Sequence, residues 1–407
     1  MKICLVGGAV RDMLMGRAIS DRDYLVLDAS PREFQERFPT AREVGHAFPV
    51  FIHDGREYAF PRGNGRACCD FGSSAASGAE LMADLESRDL TINAIALPLP
   101  DYPRIPSASS AARMVIGHPR ALSDLHNRIL RPASATAMAD DPLRVFRAAR
   151  FAAQLPEFTI HPELAKAMFD TAENGLLEAL AAERVGNELR KALRAARPGR
   201  FLRILAATGC LGSWFEEFAG AEAIPAGPPQ WHSEDVLEHS AKCADAIAED
   251  DSFPPPPADR EIACWMAMVH DIGKVATPVE MLPAHHGHEL RGEDMARALG
   301  QRLALPTRLI RAGAVAARHH MTAARYVELR PGTRVDLLHV LHTERVREEL
   351  FAVVRADGGD DLAPLAREDL AVMLAVRLPE SERDLGPESG EKLRLLRAQA
   401  LAARREA

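Results

Sequence analysis

Short apolar runs separated by glycine and polar turns fill the first hundred residues, and beyond them the apolar positions change period. Ile3 to Val6 has the pattern of a buried strand stopping at Gly7-Gly8, and Ala9 to Met15 continues as helix. Tyr24 to Leu27 reads as a second strand. Phe48 to Ile52 and Arg56 to Phe60 flank His53-Asp54-Gly55, and Asp-Gly between apolar runs predicts a hairpin. Residues 61–80, rich in Gly, Ser and Ala, predict a mobile loop. From about residue 120 the chain is rich in Ala, Leu and Arg with helical periodicity and almost no strand signal. Pro225 to Gln230 reads as a linker and Pro254 to Pro257 as a loop. The expected class is α+β: an α/β head over 1–122, a helical neck and body over 123–224, a second helical domain over 225–360 and a helical tail over 361–407.

A chain of 407 residues exceeds one ordinary core, so two or three domains are expected. Apolar residues at 47% and charged residues at 27% exclude wholesale disorder. The net charge of −8 argues mildly against a nucleic-acid partner. That average hides a segregated distribution. Between Glu183 and Arg203 stand Arg184, Arg190, Lys191, Arg194, Arg197, Arg200 and Arg203 against two glutamates, the pattern of a phosphate-tracking surface or of a solvated face. Six cysteines form no C-x-x-C pair and read as buried thiols, and no apolar run approaches the roughly 20 residues of a membrane span. A cytoplasmic, reduced protein is expected.

Candidate chemistry begins at Leu5-Val6-Gly7-Gly8-Ala9-Val10-Arg11-Asp12. A strand ending in two glycines and opening a helix presents backbone N–H groups to phosphate, with Arg11 adding charge beside Gly8. Asp21 and Asp23, two apart at a strand start, suit divalent cations bridging a triphosphate and an attacking hydroxyl. Alone, each feature is a tight turn or a solvated strand end; their order and separation favour the functional reading. Glu57 on the hairpin's second arm is a candidate third carboxylate. Arg88-Asp89 is read as opening an apolar helix, where capping is the plain alternative. In Asp140-Asp141-Pro142-Leu143-Arg144-Val145-Phe146-Arg147, Asp141 and Arg144 share a helix face, a donor/acceptor edge able to tell C from A. Arg147 continues the stripe toward phosphate or ribose. Farther on, His270-Asp271 closes an apolar helix, with His239 one helix earlier and His285, His286, His288, His319 and His320 nearby. Nitrogen and oxygen donors of this kind suit a borderline divalent metal that polarises a phosphate.

These motifs together resemble the class II tRNA nucleotidyltransferases, the bacterial CCA-adding enzymes and their poly(A) polymerase relatives. Gly7-Gly8-Ala9-Val10-Arg11-Asp12 with Asp21-x-Asp23 looks like that family's first motif. Ser87-Arg88-Asp89-Leu90-Thr91-Ile92-Asn93 resembles its Arg-Arg-Asp-x-Thr-Ile-Asn segment, and Asp140-Asp141-x-x-Arg144 its Glu-Asp-x-x-Arg segment. Glu183 to Leu189 resembles a structural neck motif. Ser87 and Asp140 depart from the family residue, and the loop Ile116 to Asp124 matches only weakly. His239, His270-Asp271 and His285-His286-Gly287-His288 resemble the HD domain of proteobacterial multifunctional CCA proteins, where Asp357 is a further candidate carboxylate and the family's Asp is replaced by His320.

The resemblance implies a DNA polymerase beta-like nucleotidyltransferase head and an HD phosphohydrolase domain. It implies Mg2+ on Asp21 and Asp23, the triphosphate at Gly8 and Arg11, sugar and phosphate contacts from Arg88 and Arg147, and base choice by Asp141 and Arg144. The HD site then takes a divalent metal such as Ni2+ or Mg2+ on His239, His270 and Asp271. CTP, ATP and the tRNA 3′ end are the implied partners, with Arg190, Lys191, Arg194 and Arg197 on tRNA, no membrane, and a monomer or homodimer. The activities implied are untemplated CCA addition and 2′,3′-cyclic phosphodiesterase, 2′-nucleotidase and phosphatase hydrolysis. The alternatives are a poly(A) polymerase, or an RNA-binding HD phosphohydrolase with a degenerate head.

Overall fold

The computed structural model describes residues 1–19, 21–44, 49–61, 74–256, 258–383 and 386–406. Within them the chain forms two compact units, one of residues 1–148 with 157–177, the other of 149–156 with 178–407.

The first unit is built on a sheet of seven strands: β1 (Lys2–Val6), β2 (Asp23–Leu27), β3 (Arg42–Val44), β4 (Val50–His53), β5 (Arg56–Ala59), β6 (Ile95–Pro98) and β7 (Ile116–Gly117). Their order is β3-β4-β5-β2-β1-β6-β7, antiparallel except where β2 lies parallel to β5. Successive strand residues point to opposite faces, and here both faces are covered. Ile3, Leu5, Tyr24, Val26 and Tyr58 join a core with Phe34 and Phe51, while Cys4, Val6, Leu25 and Leu27 pack with Leu81 and Leu85. The apolar runs at 3–6 and 24–27 are therefore continuous rather than alternating. The hairpin at Asp54-Gly55 forms, with both residues at positive φ.

The loop expected over 61–80 gives way to helix at Ser74–Glu86, whose buried Leu81 and Leu85 supply the apolar spacing; residues 62–73 lie outside the described residues. Strand does recur past residue 120: β8 (Ile129–Leu130) pairs in parallel with β9 (Thr159–Ile160). Two-residue strands are too short for a period-2 signal, so sequence pattern misses them.

The second unit is helical. Asp235 caps Val236–Glu249 by accepting from the Glu238 N–H, and Asp259 caps Arg260–Val269 through the Glu261 and Ile262 N–H groups. Ile262 to Val269 is buried on every side. Gly273 lets the turn Ile272–Lys274 meet the start of the helix His288–Arg302: a Cβ there would lie 2.1 Å from the His288 carbonyl. The helix Thr307–Ala324 packs against both.

Candidate active site

At the mouth of the first unit's sheet, β2 begins at Asp23 and its parallel neighbour β5 places Glu57 opposite. Because Tyr24 and Tyr58 turn into one core, Asp23 and Glu57 share the other face. Burial and then the charge of Asp21 push the Asp23 carboxyl above its ordinary range, while Arg88 and Arg147 oppose. Glu57 is raised likewise, by burial, Asp23 and Asp21. The charge of Asp21 thus reaches both Asp23 and Glu57.

The cations around them are braced by other residues. Arg88 pairs with Asp84 at 3.1 Å, and Arg147 grips the buried Asp89 at 2.6 and 2.9 Å. Burial raises Asp89, but Arg147 and Asn93 hold it below its ordinary value. Gly7 at φ +69 brings its backbone N–H to the Ile95 carbonyl, and a Cβ there would lie 3.0 Å from the Arg88 guanidinium. Gly7, more than Gly8, is the position that demands glycine.

Arg11 is turned inward, where a phosphate-facing side chain was expected. It is 6% exposed, donating to Asn93 Oδ1 at 2.7 Å and Asp12 Oδ1 at 2.9 Å. Asp141, Arg144 and Arg147 are all half-buried at three-residue spacing along the start of the helix Leu143–Gln154. The Asp141 carboxylate accepts from the Leu143 N–H at 3.3 Å. Arg144 donates to the carbonyls of Ser87 (2.6 Å) and Ala137 (2.9 Å). The departure at Ser87 therefore keeps the contact that ties this helix to the segment 84–93, because a backbone carbonyl makes it. Asp140 is exposed and accepts from Thr136. Asp124, in the weakly matching loop, is buried between Thr91 (2.8 Å) and Arg131 (3.0 Å).

The basic run from 184 to 203 is not an open stripe. Arg190 and Arg194 both pair with Glu261, Lys191 with Glu188, Arg197 with Glu249, and Arg203 with Glu238 and Asp245. Most of its partners come from helices 35 to 71 residues away, so the local surplus of charge is largely compensated in space. Lys191, Arg194 and Arg197 keep 55%, 58% and 45% of their side chains exposed, while Arg190 and Arg203 are mostly covered.

In the second unit the histidines converge on Asp271. His239 and His270 bring their Nε2 atoms to 3.3 Å from Asp271 Oδ2, and His288 and His320 theirs to 3.2 Å from Oδ1. Asp357 Oδ1 lies 2.9 Å from His239 Nε2. The tautomers follow from the far side of each ring. Nδ1 of His270, His288 and His320 faces the carbonyls of Ala267, His285 and Ala316, which only accept, so each ring donates there from Nδ1 and turns Nε2 toward Asp271. His288 and His320 bring their Nε2 atoms to 3.2 Å from each other, and each to the same carboxylate oxygen. Asp271 Oδ1, His270 Nε2 and Asp357 Oδ1 are buried without a hydrogen-bond partner, and Asp271 Oδ2 has the Lys274 ammonium. Such convergence calls for cations, and two donor groups, His239-Cys243-His270-Asp357 and Asp271-His288-His320, each close within 4.8 Å.

Lys274 Nζ stands 2.5 Å from Asp271 Oδ2. Burial would raise Asp271, but His270 and Lys274 hold it well below the carboxylate range. Burial would likewise lower His239, yet Asp271 and Asp357 raise it. His239 Nδ1 faces Glu234 at 3.3 Å. His288, His320, Asp357, Glu234 and Lys274 thus join the three residues expected. His320 occurs in the sequence as half of a doublet, but no spacing rule ties Asp357 to His239, 118 positions earlier.

Models of known families cover most of the chain: the poly A polymerase head domain matches residues 3–131, a probable RNA- and SrmB-binding site of polymerase A 157–221, and the HD domain 231–358. The multifunctional CCA protein of Stenotrophomonas maltophilia strain R551-3 is 35% identical over 427 aligned positions that span all of both chains. The chain belongs to the multifunctional CCA protein family. Its relative from Azoarcus sp. strain BH72 is 36% identical, covering 87% of this chain and 82% of that one. Among solved structures, this family member resembles a CCA-adding enzyme with ATP at TM-score 0.63 and 18% identity, over 98% of this chain and 86% of that one. It also resembles a tRNA nucleotidyltransferase complexed with a primer tRNA and an ATP analogue, at TM-score 0.59 and 19% identity over 93% and 97%. At such identities the likeness establishes the fold: a nucleotidyltransferase head with helical domains behind it. No helix among the described residues is long and apolar enough to cross a membrane.

Proposed function

We propose that this chain adds C, C and A to the tRNA 3′ end from CTP and ATP, with protein side chains in place of a nucleic-acid template. The observation that carries the reading is the coupled set Asp21, Asp23 and Glu57 held in one unit with Arg88, Arg147 and the Asp141–Arg144 helix face. Asp21 raises the pKa of Asp23, both raise that of Glu57, and hard carboxylate oxygens fit Mg2+. Asp21 and Asp23 hold the metal, which when bound supplies positive charge to the 3′-hydroxyl and the triphosphate. Gly8 leaves its backbone open to the triphosphate and Arg11 fixes that turn. Arg88 and Arg147 orient sugar and phosphate, and Asp141 with Arg144 reads the base edge. Lys191, Arg194 and Arg197, three of the exposed cations of their run, meet tRNA phosphates, and Arg190 steadies the helix that carries them. Incubation with tRNA lacking CCA and single nucleotides is the test: CTP incorporation followed by one A is expected, and a long A tract would instead establish a poly(A) polymerase. Arg144→Ala should loosen C/A choice in the same assay.

The HD-domain match over residues 231–358 and the buried donors around Asp271 support a second activity, that of a metal-dependent phosphohydrolase. His239, His270, Asp271 and Asp357 fit one ion and Asp271, His288 and His320 a neighbouring one, with Ni2+ or Mg2+ the candidates. When bound, such ions polarise a phosphate and acidify water. Lys274 adds a cation for the phosphate, and Glu234 holds His239 in the tautomer that leaves Nε2 bare. His320 in place of the family's Asp contributes a nitrogen donor, so activity is retained with a preference shifted toward nitrogen-binding metals. Metal analysis after dialysis should find divalent ions in the wild type and their loss in Asp271→Asn; equal contents would refute the site.

A further inference from the structure

Next in sequence to His232, whose ring packs on His239, comes an aromatic side chain that neither proposed activity uses. Trp231 is 77% exposed, the most exposed large apolar side chain among the described residues, whereas Trp214 and Trp265 are buried. A lone exposed apolar side chain needs no explanation in itself, but the backbone around this one is pinned to the centre. The N–H groups of Trp231 and His232 both donate to the Pro228 carbonyl, at 2.9 and 3.1 Å, and the Ala226 N–H to that of Glu234 at 2.9 Å. The Ala226 carbonyl accepts from Lys274 Nζ at 2.7 Å, and the Pro225 carbonyl faces His285 Nε2 at 2.8 Å. The next ring, His232, stands edge-on to His239 with centroids 4.8 Å apart. Gly227 permits that approach, since a Cβ there would come within 2.5 Å of the His232 ring. The stretch read from sequence as a linker is thus a fixed strap, and it presents an indole one residue from a ring packed on a metal-binding histidine.

We infer that Trp231 is the platform on which the base of a nucleoside phosphate stacks while its phosphate occupies the His239–Asp271 centre. The inference rests on the phosphohydrolase reading above. An aromatic face accepts any base, because every base has a π-surface, so the ligand class is a base-bearing phosphate without strong base preference. Lys274, which holds the strap at Ala226 and touches Asp271, links the two ends of such a ligand.

The test uses the full-length, metal-loaded protein. Trp231 is the exposed tryptophan, so its emission reports stacking directly. Adenosine 2′-monophosphate should change that emission saturably, and base-free ribose 5-phosphate should not. In turnover, Trp231→Ala should raise KM for adenosine 2′,3′-cyclic phosphate roughly five- to a hundredfold at near wild-type kcat. KM for base-free, non-aromatic ribose 5-phosphate should stay unchanged, and Trp231→Phe should restore most of the loss. Unresponsive emission at millimolar nucleotide, or KM rising equally for both substrates, would overturn the assignment. Wild-type protein that hydrolyses neither substrate refutes the phosphohydrolase reading instead, and the emission titration still decides the platform.

Discussion

Asp23 is held where its own charge is unwelcome: burial and Asp21 both raise its pKa above the ordinary 3.8. A carboxyl raised on folding costs stability once the pH exceeds its unfolded value and costs nothing well below it. Asp23→Asn should therefore abolish nucleotide transfer yet hold or raise the melting temperature of the metal-free protein at pH 7, with the difference vanishing below about pH 4. Thermal unfolding across pH checks this, and a clear loss of stability at pH 7 would mean that Asp23 has a structural partner. This residue was legible in sequence because its chemistry is local, an Asp-x-Asp behind a glycine turn. His270-Asp271 was legible for the same reason. In sequence Asp357 was only a candidate carboxylate and His320 only a departure from the family's Asp, since what brings them to the cluster is the meeting of segments 118 and 49 residues apart.

Between elements, glycines set how closely helices and turns approach. A Cβ on Gly273 would strike the His288 carbonyl at 2.1 Å and the Gly292 nitrogen at 2.5 Å. Gly273→Ala should push the helix starting at His288 away from Asp271, at a cost of about 1–3 kcal/mol. Metal content of the centre should fall while CTP addition continues; Gly212→Ala, with nothing within 4 Å, is the matched control. The basic run teaches a related lesson. Glu261 is nearly buried between Arg190 and Arg194, so Arg190→Ala should destabilise the protein by about 1–3 kcal/mol and leave tRNA affinity within about twofold, by melting temperature and filter binding. A large loss of affinity without loss of stability would return Arg190 to the RNA surface. Counting charges along the chain found the run but could not see its partners, which lie across helix–helix contacts.

On the scale of the whole molecule, the two candidate sites lie in different compact units, Asp21 and Asp23 in the first and His270-Asp271 in the second. The two chemistries should then be separable. Asp271→Asn is expected to add CCA normally while losing phosphohydrolase activity, and Asp21→Ala to do the reverse; loss of both by either variant would show that the sites are coupled. Hydrophobic periodicity by itself determined an α/β head followed by helices, and spaced motifs determined the acid pair, the Asp141–Arg144 face and the His-Asp doublet, because each of these is written within a few residues. Tertiary structure alone decided which histidines surround Asp271, that Arg11 is an internal brace, that the basic run is mostly neutralised, and that the stretch around Trp231 is a strap. Each of those depends on distances between segments far apart in sequence, which packing fixes and local pattern does not encode.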